Sequence, residues 1–297
     1  MPTKLQADIG IIGGSGLYQM EGLEQVQEVR PQTPFGRISD RIVLGNIAGK
    51  RLAFLARHGK GHTISPSQIN YRANIYALKS LGVSQVFSVS AVGSMKETIK
   101  PGDFVLPDQF IDRTTQRSHT FFDQGLVAHV SLADPICSAL SSTLQKASQE
   151  VGQIVHRGGT YLCIEGPQFS TKAESRLYRQ WGVDIIGMTN IPEAKLAREA
   201  ELCYATLALV TDFDCWHETE EAVSVGAILN IMKKNVKIAQ AVLKASLRLA
   251  PENPQCSCQT ALEHALVTPP EAITAAAKKR VHVFFSRQWG KPQTPKR

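Results

Sequence analysis

Two acidic residues, Asp212 and Asp214, follow CYATLALV at residues 203–210, the most strand-like run in the chain. In an extended segment, residues two apart fall on the same face, so both carboxyl groups are expected to point the same way. Two negative charges this close are costly unless a ligand or a proton lies between them, and their repulsion raises a carboxyl pKa. The pattern after a buried strand therefore indicates a carboxyl pair that shares a proton or meets a ligand.

A glycine-rich turn, Gly-Gly-Ser-Gly at residues 13–16, follows the apolar run at residues 7–12. Glycines let backbone N–H groups approach an anion, and Ser15 adds a hydroxyl donor. The third glycine of the dinucleotide fingerprint is missing, and the Lys-Ser/Thr pair of a P-loop does not follow. Taken alone, the turn is interpreted equally well as an anion site or as a plain tight turn.

Further polar residues follow other predicted strands. Arg57 and His58 follow the strand at residues 52–55, Ser90 and Ala91 follow the strand at 86–89, and Thr189 follows the strand at 183–186. Arginine offers a fork of donors suited to phosphate oxygens, and histidine adds a donor when it is suitably protonated. Because ligands of open α/β sheets gather at the strand ends, these residues together with Ser15 predict a site for one free phosphate. For any one of them alone, an ordinary structural role is the commoner outcome.

Strands alternate with helices along most of the chain, which predicts an α/β fold with a parallel or mixed sheet between helices. We expect a hairpin around residues 48–50, one helix over residues 66–81 and one strand over residues 103–111. The prolines at 251–270 suggest a boundary, so the prediction is a main domain at 1–250 and a basic, partly disordered C-terminal extension at 251–297. A final helix at 271–285 would place Ile273, Ala277, Val281 and Phe284 on one side.

The charge and the cysteines narrow the class of protein. The formal net charge is +7, but residues 271–297 hold seven basic residues and one acid and so account for +6 of it. The nearly neutral remainder argues against a nucleic-acid-binding protein. The six cysteines include no C-x-x-C pair, and Cys256 and Cys258 are expected to be free thiols, with a strained disulfide as the alternative. No apolar run is long enough for a signal peptide or a membrane span, which predicts a cytoplasmic protein without a membrane partner.

Several long motifs resemble those of the 5′-methylthioadenosine phosphorylases, within the trimeric purine nucleoside phosphorylase family. They keep the family order over about residues 7–245 and include IGIIGGSGL at 9–17, LARHG at 55–59, IEGP at 164–167, MT at 188–189, TDFDCW at 211–216 and EAVSV at 221–225. The resemblance implies a single α/β domain with a mixed, barrel-like central sheet, assembled as a homotrimer. It also implies small-molecule partners, a nucleoside and phosphate, and neither a metal nor an organic cofactor.

The resemblance carries over specific roles. Ser15, Arg57, His58, Ser90, Ala91 and Thr189 would surround phosphate, and Met188 would lie against the ribose. Phe169 would pack on the base with Ser170 beside it, while Asp212 and Asp214 would face the purine edge. Val225, Ile228 and Leu229 would line the pocket for the 5′-methylthio group, and His129 would reach into a neighbouring subunit's site. No residue of this tail could be matched to the family's C-terminal lid.

The implied reaction is phosphorolysis of methylthioadenosine to adenine and 5-methylthioribose-1-phosphate, which serves methionine and purine salvage. Phosphate is itself the nucleophile, so the protein's task is positioning and electrostatics, and Asp212 is the expected proton donor to purine N7. Two alternatives stay open. One is a phosphorylase of methylthioinosine or of other 6-oxopurine nucleosides on the same fold, and the other is a nucleoside-binding protein without catalysis.

Overall fold

The computed structural model describes residues 6–14, 16–17, 20–217, 225–285 and 289, and for residues 225–230 it describes the backbone only. Its strands are β1 (Ile9–Gly13), β2 (Glu24–Val29), β3 (Ile42–Ile47), β4 (Lys50–Ala56), β5 (Gln85–Ser94), β6 (Phe104–Leu106), β7 (Gln109–Arg113), β8 (Val155–Arg157), β9 (Thr160–Ile164), β10 (Ile185–Gly187) and β11 (Cys203–Asp212). Its helices are α1 (Tyr71–Ser80), α2 (Ser138–Val151), α3 (Lys172–Gln180), α4 (Glu193–Glu199), α5 (Val225–Leu249) and α6 (Ala275–Val281). Short 3₁₀ turns cover Pro66–Gln68 and Ser257–Thr260.

The eleven described strands form one mixed sheet, as the sequence predicted. Parallel pairs join β4 to β1, β1 to β5 and β5 to β11, whereas β5 pairs with β10 and β6 pairs with β11 in the antiparallel sense. Strand β5 pairs with β1 near its start, with β10 at its end and with β11 along nearly its whole length. The sheet therefore branches at β5, and the carboxyl ends of β4, β1, β5 and β11 reach the same edge.

Two of the expected elements are divided in the structure. The single helix expected over residues 66–81 is a 3₁₀ turn followed by α1, because the Asn70 side chain accepts a hydrogen bond from the Ala73 N–H and caps a new helix there. The single strand expected over residues 103–111 is two strands, β6 and β7, which are separated at Pro107 and Asp108. Proline lacks the N–H that a continuing ladder requires.

The last described part of the chain packs on the core. Helix α6 begins at the Thr274 cap, whose hydroxyl accepts a hydrogen bond from the Ala277 N–H. Ile273, Ala277, Val281 and Phe284 are all buried, as expected, but the helix covers only Ala275–Val281 and not the whole of residues 271–285. Residues 286–288 and 290–297 lie outside the described part. None of the described helices combines the length and the apolar character needed to cross a membrane.

Candidate functional site

A cavity of about 410 Å³ lies at the carboxyl edge of the sheet. Its walls come from the turn after β1, the residues after β4, the second half of β5, the segment after β10, the end of β11 and one side of α5. Arg57, His58, Ser90, Ala91, Thr189, Met188, Phe169, Asp212 and Asp214 all line it. Residues far apart in the sequence thus meet in one cavity, because the parallel strands β4, β1, β5 and β11 reach the same edge and the antiparallel β10 runs back along β5, which places Thr189 beside Ser90.

One end of the cavity gathers hydroxyl groups. Ser90 Oγ lies 3.1 Å from Thr189 Oγ1 and 3.3 Å from the Tyr161 hydroxyl. Ser90 and Thr189 were predicted from the sequence, whereas Tyr161 lies inside β9 and was missed because its ring looks like an ordinary core residue. Neutral donors on buried strands are well suited to hold an anion without competing counter-charges.

Arg57 lies in the same region, but most of its guanidinium is already used. It forms a bidentate pair with Glu193 of α4, with Nε–Oε2 and Nη2–Oε1 distances of 2.9 and 2.7 Å. Further bonds go to the Ser88 hydroxyl and the Val89 carbonyl, so four of its five N–H groups are committed. Burial opposes the positive charge, yet Glu193 raises the Arg57 pKa further above its ordinary value. At most one N–H of this fixed cation remains for an anion.

Glu193 was missed in the sequence, although a signal was present. It is 1% exposed, and it also accepts hydrogen bonds from the Ser88 and Tyr204 hydroxyls. An acid among Ala194, Leu196 and Ala197 on a short helix is unusual, since buried carboxylates are nearly always paired. The partner, 136 residues away, could not be found from the sequence.

His58 is neutral in the absence of a ligand. Its Nδ1 lies 2.9 Å from the Ile64 carbonyl, so this nitrogen carries the proton and Nε2 is an acceptor. Burial, together with the nearby Arg57, lowers its pKa to about 4, although the Ile64 carbonyl works the other way. Its ring stacks on His62 at a centroid distance of 4.0 Å. A donor role toward phosphate therefore requires the anion itself to bring in the proton.

The other end of the cavity holds the carboxyl pair. Asp212 accepts hydrogen bonds from the Thr211 hydroxyl at 2.6 Å and the Asp214 N–H at 2.8 Å. Asp214 is 9% exposed, and its Oδ2 accepts a hydrogen bond from the Ser175 hydroxyl at 2.5 Å. Burial, followed by the charge of Asp212, raises the pKa of Asp214. A Cβ at Gly93 would lie 2.8 Å from Asp212 Oδ1, so only glycine leaves room for this carboxylate.

Phe169 and Met188 contribute the apolar wall between the two ends. The Phe169 ring is 50% exposed and stands at the rim. Ser170, next to it, has a buried hydroxyl without a hydrogen-bond partner among the described residues. A flat apolar surface beside a carboxyl pair is suited to a heteroaromatic ring, which needs stacking on its face and hydrogen bonds at its edge.

Arg117 fixes the backbone behind this wall. Its Nη1 donates to the Met188 and Ile191 carbonyls at 2.7 and 2.6 Å, and its Nη2 donates to the Glu165 carbonyl at 2.7 Å. Its Nε pairs with the Glu165 carboxylate at 3.0 Å. Although burial favours the protonated acid, hydrogen bonds, including one from Arg117, lower the Glu165 pKa to about 2. Arg117 was also missed, because its partners are carbonyl groups that no sequence motif shows.

Helix α5 closes the cavity with Met232 and Val236. These two residues are four positions apart and therefore lie on the same helical face. The predicted side chains of Val225, Ile228 and Leu229 lie outside the described part, and so does Ser15. The sequence did not single out Met232 and Val236, because a methionine and a valine at helical spacing are typical of any core.

His129 lies elsewhere. It is exposed and lines a second cavity, of about 670 Å³, near α2 and the 3₁₀ turn at Ser257–Thr260. Its backbone N–H donates to the Ala265 carbonyl at 2.7 Å. Its expected contact with a neighbouring subunit's site stays a prediction.

The fold and the site together define a class of protein: an α/β domain that brings a cluster of hydroxyl groups, a buried arginine and a carboxyl pair to one cavity. The sequence profile of the Phosphorylase superfamily matches residues 8–248, and the chain belongs to this family.

Individual relatives agree over nearly the whole chain. The S-methyl-5′-thioadenosine phosphorylase of Geobacter sulfurreducens is 56% identical over 278 residues, which cover 93% of this chain and 97% of the relative. The S-methyl-5′-thioadenosine phosphorylase of Koribacter versatilis is 52% identical over 286 residues, which cover 96% of this chain and 98% of the relative.

Solved structures agree as well. The crystal structure of a methylthioadenosine phosphorylase from an antarctic soil metagenomic library is 56% identical and superposes with a TM-score of 0.91, covering 95% of this chain and 99% of that one. A mutant adenosine/methylthioadenosine phosphorylase from Schistosoma mansoni, in complex with adenine, is 36% identical and superposes with a TM-score of 0.83, covering 88% of this chain and 99% of that one.

Proposed function

We propose that this protein cleaves 5′-methylthioadenosine by phosphorolysis and releases adenine and 5-methylthioribose-1-phosphate. The observation that carries the proposal is the arrangement of the cavity, in which a hydroxyl cluster and a fixed cation lie at one end and a carboxyl pair lies at the other. The two ends match a phosphate and a purine with the ribose between them. The names of the relatives point to the same substrate.

At the phosphate end, the hydroxyls of Ser15, Ser90 and Thr189, the Ala91 backbone and the remaining Arg57 N–H donate to the anion. His58 completes the set by sharing the proton of a hydrogenphosphate through Nε2. Fixed donors of this kind cost no reorganisation during the reaction, which makes them effective for a charged nucleophile. Their role is to hold one phosphate oxygen in line with the ribose C1′.

At the base end, Phe169 and Ser170 contact the purine, and the carboxyl pair binds its edge. The C1′–N9 bond breaks with its electron pair passing to the purine, while a phosphate oxygen forms the new bond to C1′. One proton from the pair passes through Asp212 to N7, and a carboxylate oxygen of Asp214 accepts a hydrogen bond from the 6-amino group. The proton belongs to the pair rather than to one residue, since the two carboxyl groups are coupled.

The 5′ substituent is expected to lie against α5. Val225, Ile228 and Leu229 would enclose the methylthio group, Met232 and Val236 extend this wall, and Met188 covers the ribose. An apolar enclosure favours a thioether over a hydroxyl, because an unpaired hydroxyl pays for its lost hydration. The reaction needs no organic cofactor, and phosphate is the co-substrate.

The decisive experiment is adenine release from methylthioadenosine with and without phosphate, with the sugar product identified by ³¹P NMR. We expect release that saturates with phosphate and yields a sugar 1-phosphate. Binding of the nucleoside without release would support the alternative of a non-catalytic binding protein, and release independent of phosphate would indicate a hydrolase.

One observation favours the 6-oxopurine alternative. The raised pKa of Asp214 means that this carboxyl group holds a proton more readily than usual, and a protonated acid can donate to the O6 of hypoxanthine. Comparison of methylthioadenosine with methylthioinosine separates the two substrates.

We further propose a cytoplasmic homotrimer in which His129 completes the neighbour's site. Val127 and Val267 are both exposed. The Val267 N–H donates to the Val127 carbonyl, and the His129 N–H donates to the Ala265 carbonyl, so both valines lie close to His129. These exposed apolar side chains support a contact surface there. Six unpaired cysteines fit a reducing compartment. Light scattering at assay concentration should give the mass of three chains, and a fully active monomer would contradict the assembly.

A further inference from the structure

Four of the six cysteines converge away from the 410 Å³ cavity that holds the candidate site. Cys137 is the residue before α2, Cys203 begins β11, and Cys256 and Cys258 flank Ser257 at the last 3₁₀ turn. Their four sulfur atoms all lie within 4.8 Å of one another. Three separate segments of the chain thus deliver thiol groups to one point, although the sequence holds no C-x-x-C pair.

The spacing matches a tetrahedral metal site. With metal–sulfur bonds of about 2.3 Å, the sulfurs of a tetrahedral zinc site lie about 3.8 Å apart. The distance between the sulfurs of Cys203 and Cys256 is 3.3 Å, and all four thiols are unpaired. A disulfide would require about 2.05 Å, and it would join the sulfurs in pairs instead of gathering all four around one centre.

The surroundings favour thiolates. Cys137 stands at the N-terminus of α2, where the helix dipole stabilises negative charge. Arg198 and Arg157 line the neighbouring cavity of about 670 Å³ together with Cys137, Cys256 and Cys258. Four thiolates around a divalent cation leave a net charge of about −2. The cavity beside them is lined by Arg157 and Arg198 and also by Asp108 and Asp134. The cavity also gives a metal ion a path to the cluster.

We propose that Cys137, Cys203, Cys256 and Cys258 bind one Zn²⁺ as a closed tetrathiolate site. On binding, the four thiols release their protons to solvent and each forms one sulfur–zinc bond. With four protein ligands the ion has no open position, so the site is structural rather than catalytic. It fastens the C-terminal segment at 256–258 to the start of β11 and to α2. Cysteines 163 and 215 are not part of it.

The test is zinc content measured by ICP-MS on full-length protein purified without chelator or added reductant. We expect one zinc per chain in the wild type and a trace in the Cys256→Ser/Cys258→Ser variant. Ser257→Ala, between the two ligands, and Cys163→Ser, a buried cysteine elsewhere, should keep one zinc per chain. Replacement by Co²⁺ should give the visible ligand-field and thiolate charge-transfer bands of a tetrahedral site.

The wild-type measurements decide the proposal even if the double variant fails to fold. A wild-type protein that contains no zinc and gives no such bands after incubation with Co²⁺ would overturn it. Thiol titration and mass spectrometry of the unreduced, denatured protein provide a second criterion. Six free thiols are expected, and a disulfide among the four cysteines would overturn the proposal in favour of a redox-formed crosslink.

Discussion

His58 shows how strongly a single residue depends on its surroundings. An exposed histidine titrates near about 6.5, whereas burial and Arg57 lower the His58 pKa to about 4. The unfolded chain therefore takes up a proton at this position before the folded protein does. The folded state loses stability as the pH falls from about 6.5 toward 4, and above this window the residue makes no pH-dependent contribution.

We predict that NMR titration of the phosphate-free protein gives a His58 pKa near 4. Phosphate should raise it, because a bound anion stabilises the imidazolium. The His58→Asn variant identifies the resonance. If His58 titrates at its ordinary value in the free protein, its assignment as a neutral Nδ1-protonated imidazole is wrong.

At the scale of elements, α4 holds the arginine of the proposed phosphate site through Glu193. Both members of the Arg57–Glu193 pair are almost fully buried, with side-chain exposures of 2% and 1%. Glu193→Gln leaves a buried guanidinium without its counter-charge, which is expected to lower the free energy of unfolding by about 3–5 kcal/mol. Chemical denaturation of the variant and the wild type measures this difference.

The same variant should separate the two substrates kinetically. Because Arg57 loses its fixed orientation, the KM for phosphate is expected to rise about tenfold, which corresponds to about 1.4 kcal/mol, with a smaller change for the nucleoside. Glu199→Gln on the same helix is the matched control and should leave both KM values unchanged. An equal rise in both would show that Glu193 supports the fold in general.

The elements of the site were predictable where local pattern decides them. The strand before Gly13 and the strand at 203–210 follow from continuous apolar runs, and the buried side of residues 273–284 follows from helical spacing. Strand β2 was missed, since EQVQEV lies at the sheet edge with no buried residue to mark it. Arg57 with Glu193, Arg117 with its carbonyls, and the four gathered cysteines depend on tertiary contacts between distant segments, which no local pattern contains.

At the scale of the whole molecule, one buried acid couples stability to pH. Glu199 is 6% exposed and accepts hydrogen bonds from the Thr120 hydroxyl and the Phe121 N–H. Burial raises its pKa to about 7 in spite of these bonds. Its contribution to stability is complete below the unfolded pKa of about 4.5 and is lost as the pH rises through 7.

Glu199→Gln should therefore be more stable than the wild type at pH 8, whereas at pH 5 the two proteins should be equally stable. The amide can accept from Phe121 and donate to the Thr120 oxygen, so the hydrogen bonds are kept while the buried charge is removed. The gain at high pH is at most about 3 kcal/mol, because the pKa of Glu199 is raised from 4.5 to about 7 and each tenfold change in proton affinity is worth about 1.4 kcal/mol. Thermal melts of both proteins at the two pH values measure it, and an equal change in Tm at both would refute the assignment.

The central claim is that the carboxyl pair selects a 6-aminopurine and protonates its N7. An ionised Asp214 accepts from the amino group of adenine but opposes the O6 of hypoxanthine, and a site built for one hydrogen-bond pattern can reject the other by about 10⁴-fold. Asp214→Asn supplies a donor for O6, and Asp212→Asn removes the acid that protonates N7.

The most direct measurement is kcat/KM for methylthioadenosine and methylthioinosine at saturating phosphate in the wild type and in these two variants. We predict a strong preference for methylthioadenosine in the wild type, a narrowed or reversed preference in Asp214→Asn and slow cleavage of both nucleosides in Asp212→Asn. A wild-type preference for methylthioinosine, or full activity in Asp212→Asn, would contradict the proposed roles of the pair.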